Sequence, residues 1–191
     1  KPMGVIGCVM PSTNPVATII GNAMMALKGR NSVIIAPHPM SVRLSVKMVK
    51  LLREALESVG ATADLIQCIS EEYASREATN LMMSTCDACI STGGAGRVKA
   101  AYSSGKPAFG VGQGNVQEIV DLGISDAELE RQATLCVAHR AKDNGVPCAG
   151  AQTVHIHAQQ LEQWKGYMQE HGAFLIDKDE DIAALRALVF P

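Results

Sequence analysis

The chain has 191 residues, of which 47% are hydrophobic and 19% charged, with 17 glycines and a formal net charge of −2. That length supports one substantial core, or one domain and part of a second, and the composition is that of an ordered α/β chain, not a disordered one. The small net charge and an aromatic content of only 4% argue against nucleic acid or an anionic membrane as partner.

Val5 to Met10 is a continuous apolar run, the pattern of a strand buried on both faces of a parallel sheet. Pro11 to Pro15 breaks it, and a helix is expected to about Lys28, where Gly29-Arg30-Asn31 ends it. Ser32 to Ala36 reads as a second buried strand. Pro37-His38-Pro39 is its extended exit, because each proline restricts the residue before it. Ser41 opens an amphipathic helix in which Val42, Val46, Val49, Leu52, Leu56 and Val59 recur at helical steps, with Gly60 as the stop. Leu65 to Ile69 predicts a third strand, Glu71 to Met83 a helix, and Ala88 to Ser91 a fourth strand. Thr92-Gly93-Gly94-Ala95-Gly96 turns into another helix, and Ala108 to Gly112 is a short fifth strand leading to Gln113-Gly114-Asn115. Ser125-x-x-Glu128 fits a capping box for a helix to about Arg140, and Thr153 to Ile156 is a β-branched run. This alternation implies an α/β fold with a doubly wound, Rossmann-like parallel sheet. The expected division is a nucleotide-binding domain over residues 1–142 and the start of a catalytic domain over residues 143–191. A first residue other than methionine, and an end directly after a helical pattern, fit a fragment of a longer protein.

The six cysteines (Cys8, Cys68, Cys86, Cys89, Cys136, Cys148) lie mostly inside apolar runs. The chain lacks the profile of a small disulfide-stapled domain, so a reducing, cytoplasmic setting is expected. No apolar stretch approaches the roughly 20 residues of a membrane span, and Val5 to Met10 ends at Pro11 without a cleavage site. Cys148 stands apart. It follows Asp143-Asn144-Gly145-Val146-Pro147 and precedes Ala149-Gly150-Ala151, between a helix and a strand, where reactive groups are often displayed. A thiol acts as the thiolate and needs donors or positive charge nearby; an inert, buried cysteine is the competing reading. Cys86-x-x-Cys89 has redox or zinc spacing, and His155-Ile156-His157 offers two imidazoles on one strand face. Without a second spaced pair, no metal is expected. His139 reads as a helix-face residue. The glycine-rich turns at 92–96 and 110–114 each follow a strand, where a backbone free of side chains can approach a pyrophosphate or nicotinamide. Tight turns alone would also call for those glycines. Nucleotide binding is expected around Ser12, Thr13, Asn14, Pro37, His38, Gly93, Gly94 and Gly112.

Taken together, Pro11-Ser12-Thr13-Asn14-Pro15, Pro37-His38-Pro39, the block STGGAGRVKAAYSSGKPAFGVGQGN from Ser91 to Asn115 and the Asp143 to Cys148 segment resemble one family. It is the CoA-acylating, NAD(P)-linked branch of the aldehyde dehydrogenase superfamily. The likeness runs from Gly4 to about Gln152 and more loosely to the end. That branch includes the aldehyde half of bifunctional aldehyde-alcohol dehydrogenase and the acylating succinate-semialdehyde and sulfoacetaldehyde dehydrogenases. The resemblance implies NAD or NADP as cofactor, coenzyme A as co-substrate and a homo-oligomeric full-length protein. Cys148 would attack the aldehyde carbonyl, and the acyl thioester left after oxidation would pass to coenzyme A. The oxyanion would be held by the Cys148 backbone N–H and the amide of Asn14, with Thr13 the alternative one residue earlier.

Hydrolytic relatives place a glutamate general base beside the second glycine loop, whereas Gly110 to Gly114 carries no carboxylate. The resemblance therefore implies an acyl enzyme that waits for a thiol. This chain departs from the branch at Lys142, where an aromatic is common, at Ala151, where glutamate is common, and at Arg97, where a large apolar residue is common. Those positions bear on substrate and cofactor preference. The alternatives are a hydrolytic aldehyde dehydrogenase, a phosphate-linked semialdehyde reductase of the same superfamily, and a cofactor-binding or assembly fragment that is inactive alone.

Overall fold

Strand β1 (Val5–Val9) pairs in parallel with β2 (Ser32–Ala36) on one side and β4 (Ala88–Thr92) on the other. With β3 (Ile66–Cys68) and β5 (Ala108–Val111) they form a five-stranded sheet of order β3-β2-β1-β4-β5. The computed structural model describes residues 1–190, and these form two compact units, Lys1–Gln113 and the described residues from Gly114 on.

Side-chain alternation along β1 explains why helices cover both faces of this sheet. Ile6, Cys8 and Met10 point to one face, where they pack with Ile19, Ala23 and Ala26 of α1 (Pro15–Lys28) and Val49 of α2 (Val42–Ser58). Val9 points to the other face, with Met82 and Met83 of α3 (Arg76–Thr85) and Ala101 of α4 (Ala95–Tyr102). A strand that is apolar on both faces cannot be left open to water on either. The doubly wound sheet expected from the sequence is the fold of the first unit.

Two elements differ from expectation. The helix expected from Glu71 begins only at Arg76: Glu71–Tyr73 is a separate 3₁₀ turn, and Ser75 Oγ accepts from the Ala78 N–H at 3.0 Å to cap α3. Strand β3 is shorter than Leu65 to Ile69, because Ala63–Leu65 forms a 3₁₀ turn in which Thr62 Oγ1 accepts from Asp64 N–H at 3.3 Å.

The second unit pairs β6 (Val116–Val120) in parallel with β7 (Ala151–Ile156) and packs α5 (Asp126–Ala141) and α6 (Leu161–Glu170) around Trp164, Leu129, Ala133 and Cys136. Helix α7 (Asp179–Val189) closes the described chain. Packing divides the chain earlier than the functional boundary expected at residue 142, because α5 shares its core with α6 and β7. The capping box is half formed. Ser125 Oγ accepts from Glu128 N–H at 3.3 Å, while the Glu128 carboxylate turns to Arg131 and Gln132, each at 2.6 Å. Among the described residues, no helix is long and apolar enough to cross a membrane.

Candidate active site

In the first unit, the strand order reverses direction between β1 and β4, and parallel sheets of this kind receive ligands outside the carboxyl ends at such a point. The structure brings all the expected nucleotide-binding residues to that edge. Ser12, Thr13 and Asn14 follow β1, Pro37 and His38 follow β2, Gly93 and Gly94 follow β4, and Gly112 follows β5.

Thr13 Oγ1 donates to Asn14 Oδ1 at 2.9 Å, which leaves the Asn14 amide N–H groups without an acceptor among the described residues. Asn14 occupies the cap position of α1 but makes no side-chain cap bond. His38 Nδ1 accepts from Met40 N–H at 3.2 Å, so the imidazole proton sits on Nε2. Burial, and then the Arg97 guanidinium, pull the His38 pKa down, which keeps the ring neutral.

The glycines divide by what a side chain would meet. A Cβ at Gly94 or Gly112 would touch nothing within 4 Å, so both leave open space at the sheet edge. At Gly110 it would run into Val98 and come within 2.8 Å of the Tyr102 ring, whose hydroxyl accepts from Gly110 N–H at 3.1 Å. Gly110 therefore serves the packing of α4 on β5, not a ligand. That corrects the view of 110–114 as a single binding turn.

In the second unit, α5 ends at Ala141, and the chain reverses through three successive left-handed residues: Asp143 (φ 48°), Asn144 (φ 56°) and Gly145 (φ 72°). Asp, Asn and Gly are the residue types that visit this region at least cost, which gives Asp-Asn-Gly its physical reason. Pro147 to Gly150 then forms a turn closed by Gly150 N–H to Pro147 C=O at 3.1 Å, with Cys148 at its first corner. Cys148 is exposed, and no acceptor among the described residues takes its backbone N–H. A register shift where β7 begins leaves Gln152 as an extra residue between Ala151, opposite Val116, and Thr153, opposite Gln117. Irregularities of this kind re-aim the backbone beside active sites.

Two contacts hold this loop, and neither was foreseen in the sequence. A Cβ at Gly114 would stand 2.7 Å from the Cys148 carbonyl oxygen, so a glycine is what admits that close approach. The Arg140 guanidinium lies against Gly145 and Gly150, within 3.6 and 3.7 Å of where their Cβ atoms would stand. No helix begins at Cys148, so no helix N-terminus supplies a donor to it. The preceding helix ends before it and a strand follows.

The other five cysteines are chemically muted. Burial, and then the neighbouring Cys86 and Cys89, push the Cys8 thiol up to about 12. Burial, and then the Glu118 carboxylate, push Cys136 up to about 12. Burial raises Cys68 to about 11 and is the largest cause of the upward shifts of Cys86 and Cys89. The two imidazoles do not share a strand face: β7 ends at Ile156, where His155 bonds Gln117 Oε1 at 2.6 Å, and His157 Nδ1 accepts from Gln159 N–H at 3.3 Å. Among the described residues, no group of three or more His, Cys, Asp or Glu is placed to hold a metal.

Known proteins are similar to this chain in sequence and in fold. The acetylating succinate-semialdehyde dehydrogenase of Clostridium kluyveri is 43% identical over 190 residues, covering 100% of this chain and 41% of that protein. The propionaldehyde dehydrogenase of Rhodopseudomonas palustris, solved with bound propionyl-CoA, matches with a TM-score of 0.86 at 33% identity, covering 100% of this chain and 42% of that one. A second structure of that enzyme carries CoA and an acylated cysteine, with the same TM-score of 0.86 and identity of 33%, over 100% of this chain and 43% of that one. The chain thus spans about two fifths of the length of these relatives. The model of the aldehyde dehydrogenase family matches residues 1–179, and with the doubly wound sheet and the exposed cysteine turn already in place, the chain belongs to that family.

Proposed function

We propose that the full-length protein carrying this chain oxidises an aldehyde with NAD(P)+ and transfers the acyl group to coenzyme A through a thioester on Cys148. The observation that carries this reading is that Cys148 alone among the six cysteines is exposed, at the corner of a turn with its backbone N–H free. The names of the relatives support the acylating branch: one is an acetylating dehydrogenase, and another holds propionyl-CoA.

The Cys148 thiolate bonds to the aldehyde carbon and the carbonyl π electrons move to oxygen, giving a thiohemiacetal oxyanion. The free N–H of Cys148 is a donor for that oxyanion, and the unengaged amide of Asn14 is proposed as a second. A nicotinamide, when bound, supplies the acceptor for the hydrogen and electron pair that leave the aldehyde carbon. The oxyanion then collapses to a thioester on Cys148. The thiol of coenzyme A gives up its proton to solvent as its sulfur adds to the thioester carbon, the bond to the Cys148 sulfur breaks with Cys148 departing as thiolate, and acyl-CoA leaves. The open positions at Gly94 and Gly112 fit a dinucleotide, because they leave a strip of backbone that a side chain would otherwise fill.

Gly94→Val and Gly112→Val should each weaken NAD(P)+ binding by about tenfold or more, since the added carbons occupy ligand space. The melting temperature should hold, because neither side chain meets protein. Calorimetry that finds wild-type affinity in both variants would remove the dinucleotide from this edge.

Acyl transfer should far outrun hydrolysis. Gly110 to Gly114 offers no carboxylate, and the next one along the chain, Glu118, faces Cys136. No base is therefore at hand in this loop to activate water against the thioester. The test is product analysis of the full-length enzyme with aldehyde and NAD(P)+, with and without coenzyme A. Free acid made at the same rate in both would favour the hydrolytic alternative.

A further inference from the structure

Two arginines without partners face one cleft at the carboxyl edge of the first unit's sheet. The cleft has a volume of about 500 Å³, and its lining includes Pro37 after β2, Arg76, Thr79 and Asn80 of α3, and Gly96 and Arg97 of α4. Among the described residues, neither the Arg76 nor the Arg97 guanidinium forms an ion pair; the salt bridges engage Arg43, Lys50, Arg53, Arg131 and Lys165 instead. No carboxylate lines the cleft. The nearby Glu71, on the turn before α3, is committed to Arg43 at 2.9 Å.

The charge is therefore uncompensated, and the backbone adds to it. Arg76 opens α3 and Arg97 lies in the first turn of α4, so two helix N-termini border the same space. A cleft with two guanidinium groups and no carboxylate in its lining calls for an anion. Its position narrows the anion's chemistry, because it lies along the strand ends where the dinucleotide is placed above. In folds of this kind a carboxylate receives an unmodified adenosine ribose through its hydroxyls, whereas arginine accommodates a ribose phosphate. The planar fork of a guanidinium matches two phosphate oxygens at once.

We propose that Arg76 and Arg97 clamp a phosphomonoester on an adenosine ribose, either the 2′-phosphate of NADP+ or the 3′-phosphate of coenzyme A. This rests on the NAD(P)+ and coenzyme A reading given above. It assigns a task to Arg97, which stands where the branch commonly has a large apolar residue.

The test is calorimetric binding of NAD+, NADP+, coenzyme A and 3′-dephospho-coenzyme A to the full-length protein and to its Arg76→Gln, Arg97→Gln and Arg97→Lys forms. Arg76 is exposed and Arg97 half-buried, so neither replacement opens the core. The wild type should prefer the phosphorylated member of at least one pair by roughly tenfold or more, the size expected of charge-assisted hydrogen bonds. Each glutamine variant should erase most of that preference while leaving the unphosphorylated member bound as before, and Arg97→Lys should restore part of it. Loss confined to the dinucleotide pair assigns the clamp to NADP+; loss confined to the coenzyme A pair assigns it to coenzyme A. Equal binding within both pairs, or a preference that survives in both glutamine variants, overturns the clamp and leaves the dinucleotide reading standing. Binding of neither NAD+ nor NADP+ would take down that reading and the clamp with it.

Discussion

Gly114→Val should lower turnover of the full-length enzyme by about a hundredfold while leaving Cys148 in place as a residue. The Gly114 Cβ would stand 2.7 Å from the Cys148 carbonyl oxygen, a backbone atom with no flexible bond to swing aside. The added methyls must therefore displace the turn that carries the nucleophile. A shift approaching 1 Å in a reacting group costs on the order of 10²-fold when the reaction depends on alignment. Gly114 does not have the positive φ that would itself penalise a side chain, so Gly114→Ala isolates the contact and should show a smaller loss of the same kind. Rapid-mixing measurement of NAD(P)H formation reads the first acylation turnover directly. A wild-type burst rate in Gly114→Val would mean that this approach does not position Cys148.

The elements easiest to read in the sequence were those buried on both faces. Strands β1, β2 and β4 show as short, largely apolar runs because they are buried on both faces, and their shortness and flanking turn residues distinguish them from buried helices. Strand β6 escaped notice because two of its five residues reverse the expected alternation. Val116 and Val120 lie on the inner face and Gln117 is exposed, but Glu118 points inward, toward Cys136, while Ile119 is 82% exposed. The start of α3 turned on one serine. Glu71 and Glu72 resemble first-turn acids, but Ser75 makes the cap.

The site divides the same way. Cys148 was legible because its neighbours in sequence are Pro, Gly and Ala, which are themselves the signature of an open turn. Gly114 and Arg140 were not, because their importance lies in contacts with residues distant in the chain or across a reversal. A glycine two residues past Gly112 looks like more of the same loop. Only the fold separates Gly110, which admits Tyr102, from Gly112, which faces open space, and Gly114, which admits Cys148.

Cys148→Ala should abolish covalent acyl-enzyme formation and reduce turnover by about 10⁴-fold or more, the scale seen when a covalent nucleophile is removed. NAD(P)+ binding should be retained, because the residues proposed for it lie in the first unit and Cys148 lies in the second. Folding should be little affected, since the side chain is exposed and fills no core. The same geometry sets an order of reaction with iodoacetamide near neutral pH. Cys8, Cys86, Cys89 and Cys136 are buried and Cys68 is half-buried, and every one of these thiols is pushed upward, so each presents little thiolate and little access. Cys148 has the access and a free backbone donor. Peptide mapping of the full-length protein should therefore find Cys148 alkylated first, with loss of activity tracking that single modification. Prior incubation with aldehyde and NAD(P)+ in the absence of coenzyme A should protect it, because the acyl group then occupies the sulfur. If a buried cysteine is alkylated ahead of Cys148, or if Cys148→Ala turns over aldehyde at a wild-type rate, the thioester route through this turn is lost.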